Sequence, residues 1–358
     1  MASLPQRVRL VVLFGGRSAE HDISCISASH VLAAVEPSRY EVVPIGITRS
    51  GRFVLAERLA EMTADGPTVD ALPAMTGTAS ADDADLPTVV FPILHGPNGE
   101  DGTVQGMLQL AGLPYVGAGV LSSALAMDKA MAKLVMQAND IAQVGWRTID
   151  RSVPFGATDA IAAFDELGPT LFVKPANMGS SIGVSRVMLG DGPREGPSGL
   201  VDAVAAARRF DELVVIEQGV VGRELECAVL GNDRPRASVV GEVVTDAEFY
   251  DYGDKYFDGT ARTVIPAELD PDVADDARAL AVRTFAALRC TGMARVDMFA
   301  TDAGLLVNEV NTIPGFTPIS MYPKLWEASG LGYPELIDEL VSLAIEEHGR
   351  RSALATQP

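Results

Sequence analysis

The chain has 358 residues and a formal net charge of −20, from 28 basic against 48 acidic side chains, and 47% of its residues are apolar. That length exceeds one minimal domain, and that apolar share can bury a sizeable core, which excludes global disorder. The acidic balance repels nucleic acid and anionic membranes, no apolar run reaches the ~18 residues of a membrane span, and the first residues lack a cleavable signal pattern.

In chain order, residues 7–14 read as a buried strand ended by Gly15-Gly16, and 24–35 have helical spacing. Residues 40–47 and 88–94 read as further strands, an alternation typical of an open α/β sheet. Between them, 57–85 is acidic, Ala-rich and weakly periodic, and reads as helix plus surface loop. Residues 122–138 read as one helix capped by Ser122. Strands at 170–174 and 181–187 flank a Gly/Ser turn; 190–199 is a surface loop and 213–217 another strand. A helix at 272–289 is stopped by Gly292. A last amphipathic helix, 334–347, precedes a tail expected to fray after Arg350. Cys25, Cys227 and Cys290 are far apart, which fits a reducing cytosol and gives neither a disulfide framework nor zinc-ligand spacing.

The hairpin at 294–311 places carboxylates among apolar residues. Residues alternate faces along a strand, so Arg295, Asp297 and Phe299 share one face, and Leu305, Val307, Glu309 and Asn311 share another. A three-residue turn, Asp302-Ala303-Gly304, then sets Asp297 opposite Glu309 and Arg295 opposite Asn311. Like charges facing each other destabilise a sheet. Two readings fit: a divalent cation held by oxygen ligands, or an Arg–Asp ion pair on a solvated face. The turn that follows, Thr312 to Thr317, offers backbone N–H groups suited to an oxyanion.

Val173 to Gly183 is a strand, a Gly/Ser turn and a second strand. Its N–H groups and hydroxyls, with Lys174, suit phosphate oxygens; a plain turn is the alternative. No Walker pattern and no G-x-G-x-x-G dinucleotide loop is present. The chain has five lysines, Lys129, Lys133, Lys174, Lys255 and Lys324. Lys129 lies on the helix after Ser122, where a lone lysine is commonly just solvated. Lys255 lies in the aromatic-rich segment 249–263, either a lid or a surface loop. A lone histidine such as His95 is more often structural.

Six stretches together resemble the D-alanine–D-alanine ligases of the ATP-grasp superfamily, in the family's order and over nearly the whole chain. They are GGRSAEHDIS (15–24), HGPNGEDGTVQG (95–106), MDK (127–129), VKPANMGSSIG (173–183), YDYGDKY (250–256) and ARVDMF with NEVNTIPGFTPISMYP (294–299 and 308–323). The resemblance implies a three-lobed α/β ATP-grasp fold: an N-terminal open parallel α/β substrate lobe (1–120), then central (121–216) and C-terminal catalytic (217–350) α+β lobes that clasp ATP, with a frayed tail (351–358). It implies phosphate contacts by Lys129, Lys174, Ser181 and Lys255, and nucleotide contacts by Glu217, Val220, Glu224, Asn308 and Glu309. Asp297, Glu309 and Asn311 match the ligands of two Mg²⁺ ions, for which Mn²⁺ may substitute; a monovalent cation stays an open requirement. Glu20, His95, Ser180, Tyr256 and Ser320 match substrate-side positions, and Arg295 and Gly315 the oxyanion donors. The implied reaction joins two D-alanine molecules through a D-alanyl phosphate, in a cytoplasmic homodimer serving peptidoglycan precursor synthesis. A D-alanine–D-lactate ligase and a silent nucleotide-binding module are the alternatives. Tyr256 favours the dipeptide former, and intact Arg295, Asp297, Glu309 and Asn311 disfavour the silent module.

Overall fold

The computed structural model describes residues 7–56, 75, 86–190, 192, 194–244 and 262–354. Its first sheet has the order β3–β2–β1–β4, where β1 is Val8–Gly15, β2 Tyr40–Ile47, β3 Phe53–Leu55 and β4 Thr88–Ile93. β1 is parallel to β2 and β4, and β3 is antiparallel at the edge. All eight residues of β1 are buried, which follows from its unbroken apolar run at the sheet centre. Helix α1 (His21–Ala34) starts three residues before the expected position. Within it, the Ser24 hydroxyl accepts from Gly15 N–H at 2.7 Å and donates to the Ile93 carbonyl, which ties the helix to the sheet end. Of the segment expected at 57–85, all but Met75 lies outside the described residues.

After α2 (Thr103–Leu110), the expected single helix is two, α3 (Val120–Met127) and α4 (Lys129–Ala138). Asp128 breaks it with extended backbone, and its carboxylate accepts from Met131 N–H at 3.0 Å as the N-cap of α4. Its other oxygen accepts from Asn177 Nδ2 at 3.3 Å. Asp128→Ala is expected to lower unfolding free energy by about 1 kcal/mol in urea titration, the usual worth of such a cap.

The second sheet is antiparallel, in the order β5–β8–β6–β7 (Trp146–Asp150, Leu213–Gln218, Thr170–Pro175, Ser185–Met188). Its alternating residues sort cleanly. Leu171, Val173, Val214 and Ile216 pack beneath α5 (Ala157–Leu167) and α6 (Gly196–Ala207). Val215 packs with Ala130 of α4 on the opposite face. Helix α6 takes the end of the segment expected as a 190–199 loop, with Pro197 in its first turn, where a missing N–H costs nothing. The strand expected from Ser181 begins only at Ser185, because Ser180 and Ser181 take left-handed φ of 52° and 56°.

The third sheet is also antiparallel, β11–β10–β9–β12–β13 (Arg262–Val264, Arg236–Val244, Arg223–Gly231, Gly292–Thr301, Gly304–Asn311). Helix α7 (Pro271–Ala287) covers one face through Ala277, Leu280, Ala281 and Phe285. The chain turns out of α7 at Arg289, φ 56°, not at Gly292, which already opens β12. Helices α8 (Met321–Ala328) and α9 (Tyr333–Ser352) join the third sheet to the first in one core, with Tyr322, Trp326 and Leu340 fully buried. α9 outruns its expected end because Arg351 is anchored to Glu347 at 2.6 Å and to the Tyr115 hydroxyl at 3.1 Å.

Candidate active site

The hairpin β12–β13 sets Arg295 opposite Asn311 and Asp297 opposite Glu309, as expected, but by another route. Thr301 pairs with Gly304, so the turn has two residues, Asp302 and Ala303. Alone, that would misplace the acids by one residue. A bulge restores the register: Asp297 faces Glu309 while Met298 faces Val307, leaving Asn308 as the extra residue. The bulge also switches faces. Leu305, Val307 and Val310 pack into the core with Met298, whereas Glu309 and Asn311 line a cavity, so the expected common face of 305, 307, 309 and 311 does not exist.

That cavity holds about 650 Å³ and is walled by the second and third sheets and by loops of the first. It brings together Glu20, His95, Lys129, Lys174, Ser180, Ser181, Glu217, Val220, Glu224, Arg295, Asp297, Asn308, Glu309, Asn311 and Gly315. Ser320 lies just behind the wall: its hydroxyl accepts from Thr317 N–H at 3.1 Å and sits 3.1 Å from where a Cβ on Gly315 would be. Lys255 and Tyr256, with the expected lid up to Ala261, lie outside the described residues.

Arg295 forks onto Asp297 with two 2.7 Å hydrogen bonds and reaches Glu226 at 2.9 Å. The ion pair of the alternative reading is therefore present, but on a cavity wall rather than a solvated face. Burial works against the guanidinium charge, yet Asp297 and Glu226 outweigh it and hold the group firmly protonated. Asn311 Nδ2 donates to Asp297 at 2.9 Å. Asp297, Glu309 and Asn311 make an oxygen-only donor set. Among the described residues no group of three or more His, Cys, Asp or Glu side chains is placed to hold a metal ion by itself. Two carboxylates and an amide leave most of an octahedron open for phosphate and water, so the residues fit Mg²⁺. The lining carries seven carboxyl side chains against four cations among the described residues, so a polyanion entering alone meets net repulsion.

At the opposite wall, Lys129 Nζ donates to the Met178 carbonyl at 2.6 Å, linking α4 to the Gly/Ser turn. Lys174 lies 2.5 Å from Glu217, and Lys133 lies 2.9 Å from the other oxygen of the same carboxylate. Burial disfavours the Glu217 charge, but the two lysines outweigh it and pull its pKa down to about 2. Burial likewise opposes the Lys174 charge, and Glu217 with Glu309 overcomes it and raises its pKa.

A clasp joins the loop after β4 to the turn after β13. Glu100 accepts from Gly96 N–H at 2.7 Å and from Ile313 N–H at 3.2 Å. His95 Nδ1 lies 3.0 Å from the Ile313 carbonyl. A carbonyl only accepts, so Nδ1 carries the proton. Burial lowers the His95 pKa against the pull of Glu20, and the neutral ring's buried Nε2 has no hydrogen-bond partner among the described residues. Of the N–H groups expected to be open in the turn, those of Ile313 and Thr317 are thus taken by side chains.

Burial, then the charge of Glu20, raises the Glu100 pKa from 4.5 to about 8, against its two N–H donors. The folded state then keeps a proton that the unfolded chain releases. The contribution is full below pH 4.5 and is lost as pH rises through about 8. Unfolding free energy is expected to fall across that window, by at most roughly 1.4 kcal/mol per pH unit. Glu100→Gln is expected to flatten the slope in urea titrations at several pH values; parallel profiles would refute the assignment.

Glu100, Lys133, Glu226 and Arg186 were not singled out by residue type and spacing. Glu100 stands inside the quoted HGPNGEDG stretch, and Lys133 lies one helical turn beyond Lys129, so each carried a signal. Glu226 and Arg186 also line the cavity and carried none: their place follows from strand pairing and packing.

Known proteins match this architecture along its length. The family described as "D-ala D-ala ligase N-terminus" matches residues 9–118, and "D-ala D-ala ligase C-terminus" matches residues 135–342. The D-alanine–D-alanine ligase of Mycobacterium sp. (strain KMS) is 46% identical over 96% of this chain and 98% of its own. The solved D-alanine–D-alanine ligase of Coxiella burnetii superposes with a TM-score of 0.81 at 35% identity, covering 97% of both chains. That of Bacillus anthracis, complexed with ATP, does so with a TM-score of 0.74 at 26% identity, covering 96% of this chain and 99% of that one. Sequence likeness over both halves and superposition over nearly the whole chain agree: the chain belongs to the D-alanine–D-alanine ligase family and has its ATP-grasp fold.

Proposed function

We propose that the chain joins two D-alanine molecules with ATP, through a D-alanyl phosphate, releasing ADP and phosphate for peptidoglycan precursor synthesis. The observation that carries this reading is the shared cavity: the acids and Arg295 of the hairpin face Glu20 and His95 of the first sheet's loops across one space. Relatives so similar over their full length support the same reaction.

A carboxylate resists direct attack by an amine, so the first D-alanine is activated by taking the γ-phosphoryl group of ATP. Lys129, Lys174 and the Ser180–Ser181 turn would hold the phosphates, and Glu217, Val220, Glu224 and Asn308 the nucleoside. Mg²⁺ at Asp297, Glu309 and Asn311, when bound, would neutralise charge on the phosphoryl oxygens. Glu20 would take the first ammonium, with Ser180 and Tyr256 ordering the lid that carries Lys255. The amine of the second D-alanine, its carboxylate near Ser320, then attacks the acyl carbon. Arg295 and the Gly315 N–H would stabilise the oxyanion, and His95 would lie beside the first D-alanine.

We also propose lobes at 1–120, 121–216 and 217–350; the strand Leu213–Gln218 overruns the second limit by two residues. A cytoplasmic homodimer belongs to the same reading. Among the described residues no helix is long and apolar enough to cross a membrane. The test is phosphate release from ATP by purified protein, with D-alanine, L-alanine or D-lactate added in turn. Release with D-alanine alone is expected. Release only when D-lactate accompanies D-alanine would replace the dipeptide by an ester.

A further inference from the structure

Lys133 is a buried ammonium with no ligand of its own. It is 1% exposed and does not line the cavity. Its one charged partner among the described residues is Glu217, at 2.9 Å. Glu217 in turn holds Lys174 at 2.5 Å, and Lys174 does line the cavity. Burying an ammonium is costly, and an apolar side chain of similar length would fill the same space without that penalty. Its function follows from charge. Lys174 and Glu217 alone make a neutral pair. Adding Lys133 behind the carboxylate leaves the three groups at net +1, and their only cavity-facing cation is Lys174. The surplus matters in a cavity whose lining acids outnumber its cations.

We propose that Lys133 is a positioning residue for polyphosphate binding: it neutralises Glu217 from behind, so that Lys174 faces the nucleotide's phosphates as an unspent positive charge. The inference rests on the ATP reading above and adds a residue outside the cavity to it. Placement on α4 makes this economical, because Lys129 and Lys133 are one turn apart, the first reaching the Gly/Ser turn and the second the carboxylate.

The test is calorimetric titration of the full chain with ATP, inorganic tripolyphosphate and adenosine. Lys133→Met keeps the stem volume and leaves Glu217 paired with Lys174. It is expected to weaken ATP and tripolyphosphate roughly tenfold or more, from one unit charge lost in a protein-like dielectric. Adenosine binding and the KM for D-alanine are expected to be unchanged. The double variant K133M/E217Q removes the carboxylate as well, frees Lys174 again, and is expected to recover tripolyphosphate affinity to within a few-fold. It also serves if K133M alone does not fold, since it removes the buried carboxylate together with the ammonium behind it. Tripolyphosphate binding equal in K133M and the parent chain overturns the proposal. So does adenosine weakening in parallel with ATP, which would mean that Lys133 orients Glu217 toward the base, and so does a double variant that does not recover. If the parent chain binds neither ATP nor tripolyphosphate, the nucleotide reading itself fails and takes this inference with it.

Discussion

Glu309→Gln is expected to lower turnover by about a thousandfold while leaving the urea midpoint close to that of the parent chain. The side chain keeps its length, and the register that positions it comes from backbone pairing and the Asn308 bulge, neither of which needs a charge. Lost is the carboxylate facing Asp297 on the cavity wall, half of the anionic donor set for a divalent cation. Removing one preorganised electrostatic element at a reacting centre typically costs ~2.7–4 kcal/mol of barrier, and weaker metal occupancy adds to that. Steady-state turnover over a range of Mg²⁺, with a denaturation curve on the same preparation, checks both halves. Undiminished turnover would remove the metal reading of the hairpin.

Arg295→Met is expected to damage both stability and catalysis. The guanidinium satisfies Asp297 twice and Glu226 once, and its side chain is only 16% exposed. Taking one partner from a buried charge cluster typically costs ~3–5 kcal/mol, because the remaining carboxylates are left facing each other. Arg295→Lys separates the effects. A lysine keeps the positive charge but cannot fork onto a carboxylate. It should recover much of the stability while turnover stays about a hundredfold down, for want of one oxyanion donor. Urea unfolding and kcat on both variants give the comparison. A methionine variant as stable as the parent would show that these carboxylates need no counter-charge.

Much of this was legible because short-range rules decide it. Residues 40–47 read as a strand in a strand–helix alternation, and they form β2 with those limits. The acids of 294–311 meet in the expected register, but only because the Asn308 bulge offsets a turn one residue shorter than the expected one. Legibility ends where a single residue departs from period. Asp128 looks like any polar helical position, yet it stops one helix and caps the next. Asn308 bulges out of a strand whose composition gives no warning, and every residue on the turn side of it changes face. Ser180 and Ser181 take left-handed backbone that serines normally avoid, so a strand was expected where the chain is still turning. Glu100, Glu226 and Lys133 acquire their roles from distant partners. Spacing along the chain cannot display a bond between residues 100 and 313.

Ile313 is gripped at its amide by Glu100 and at its carbonyl by the neighbouring His95. Loop and turn are thereby fastened into one piece, and the Ile313 amide becomes a natural reporter for it. Deuterium enters there only when the grip of Glu100 lets go, so one slow-exchanging proton registers whether the substrate-side loop and the oxyanion turn are still joined.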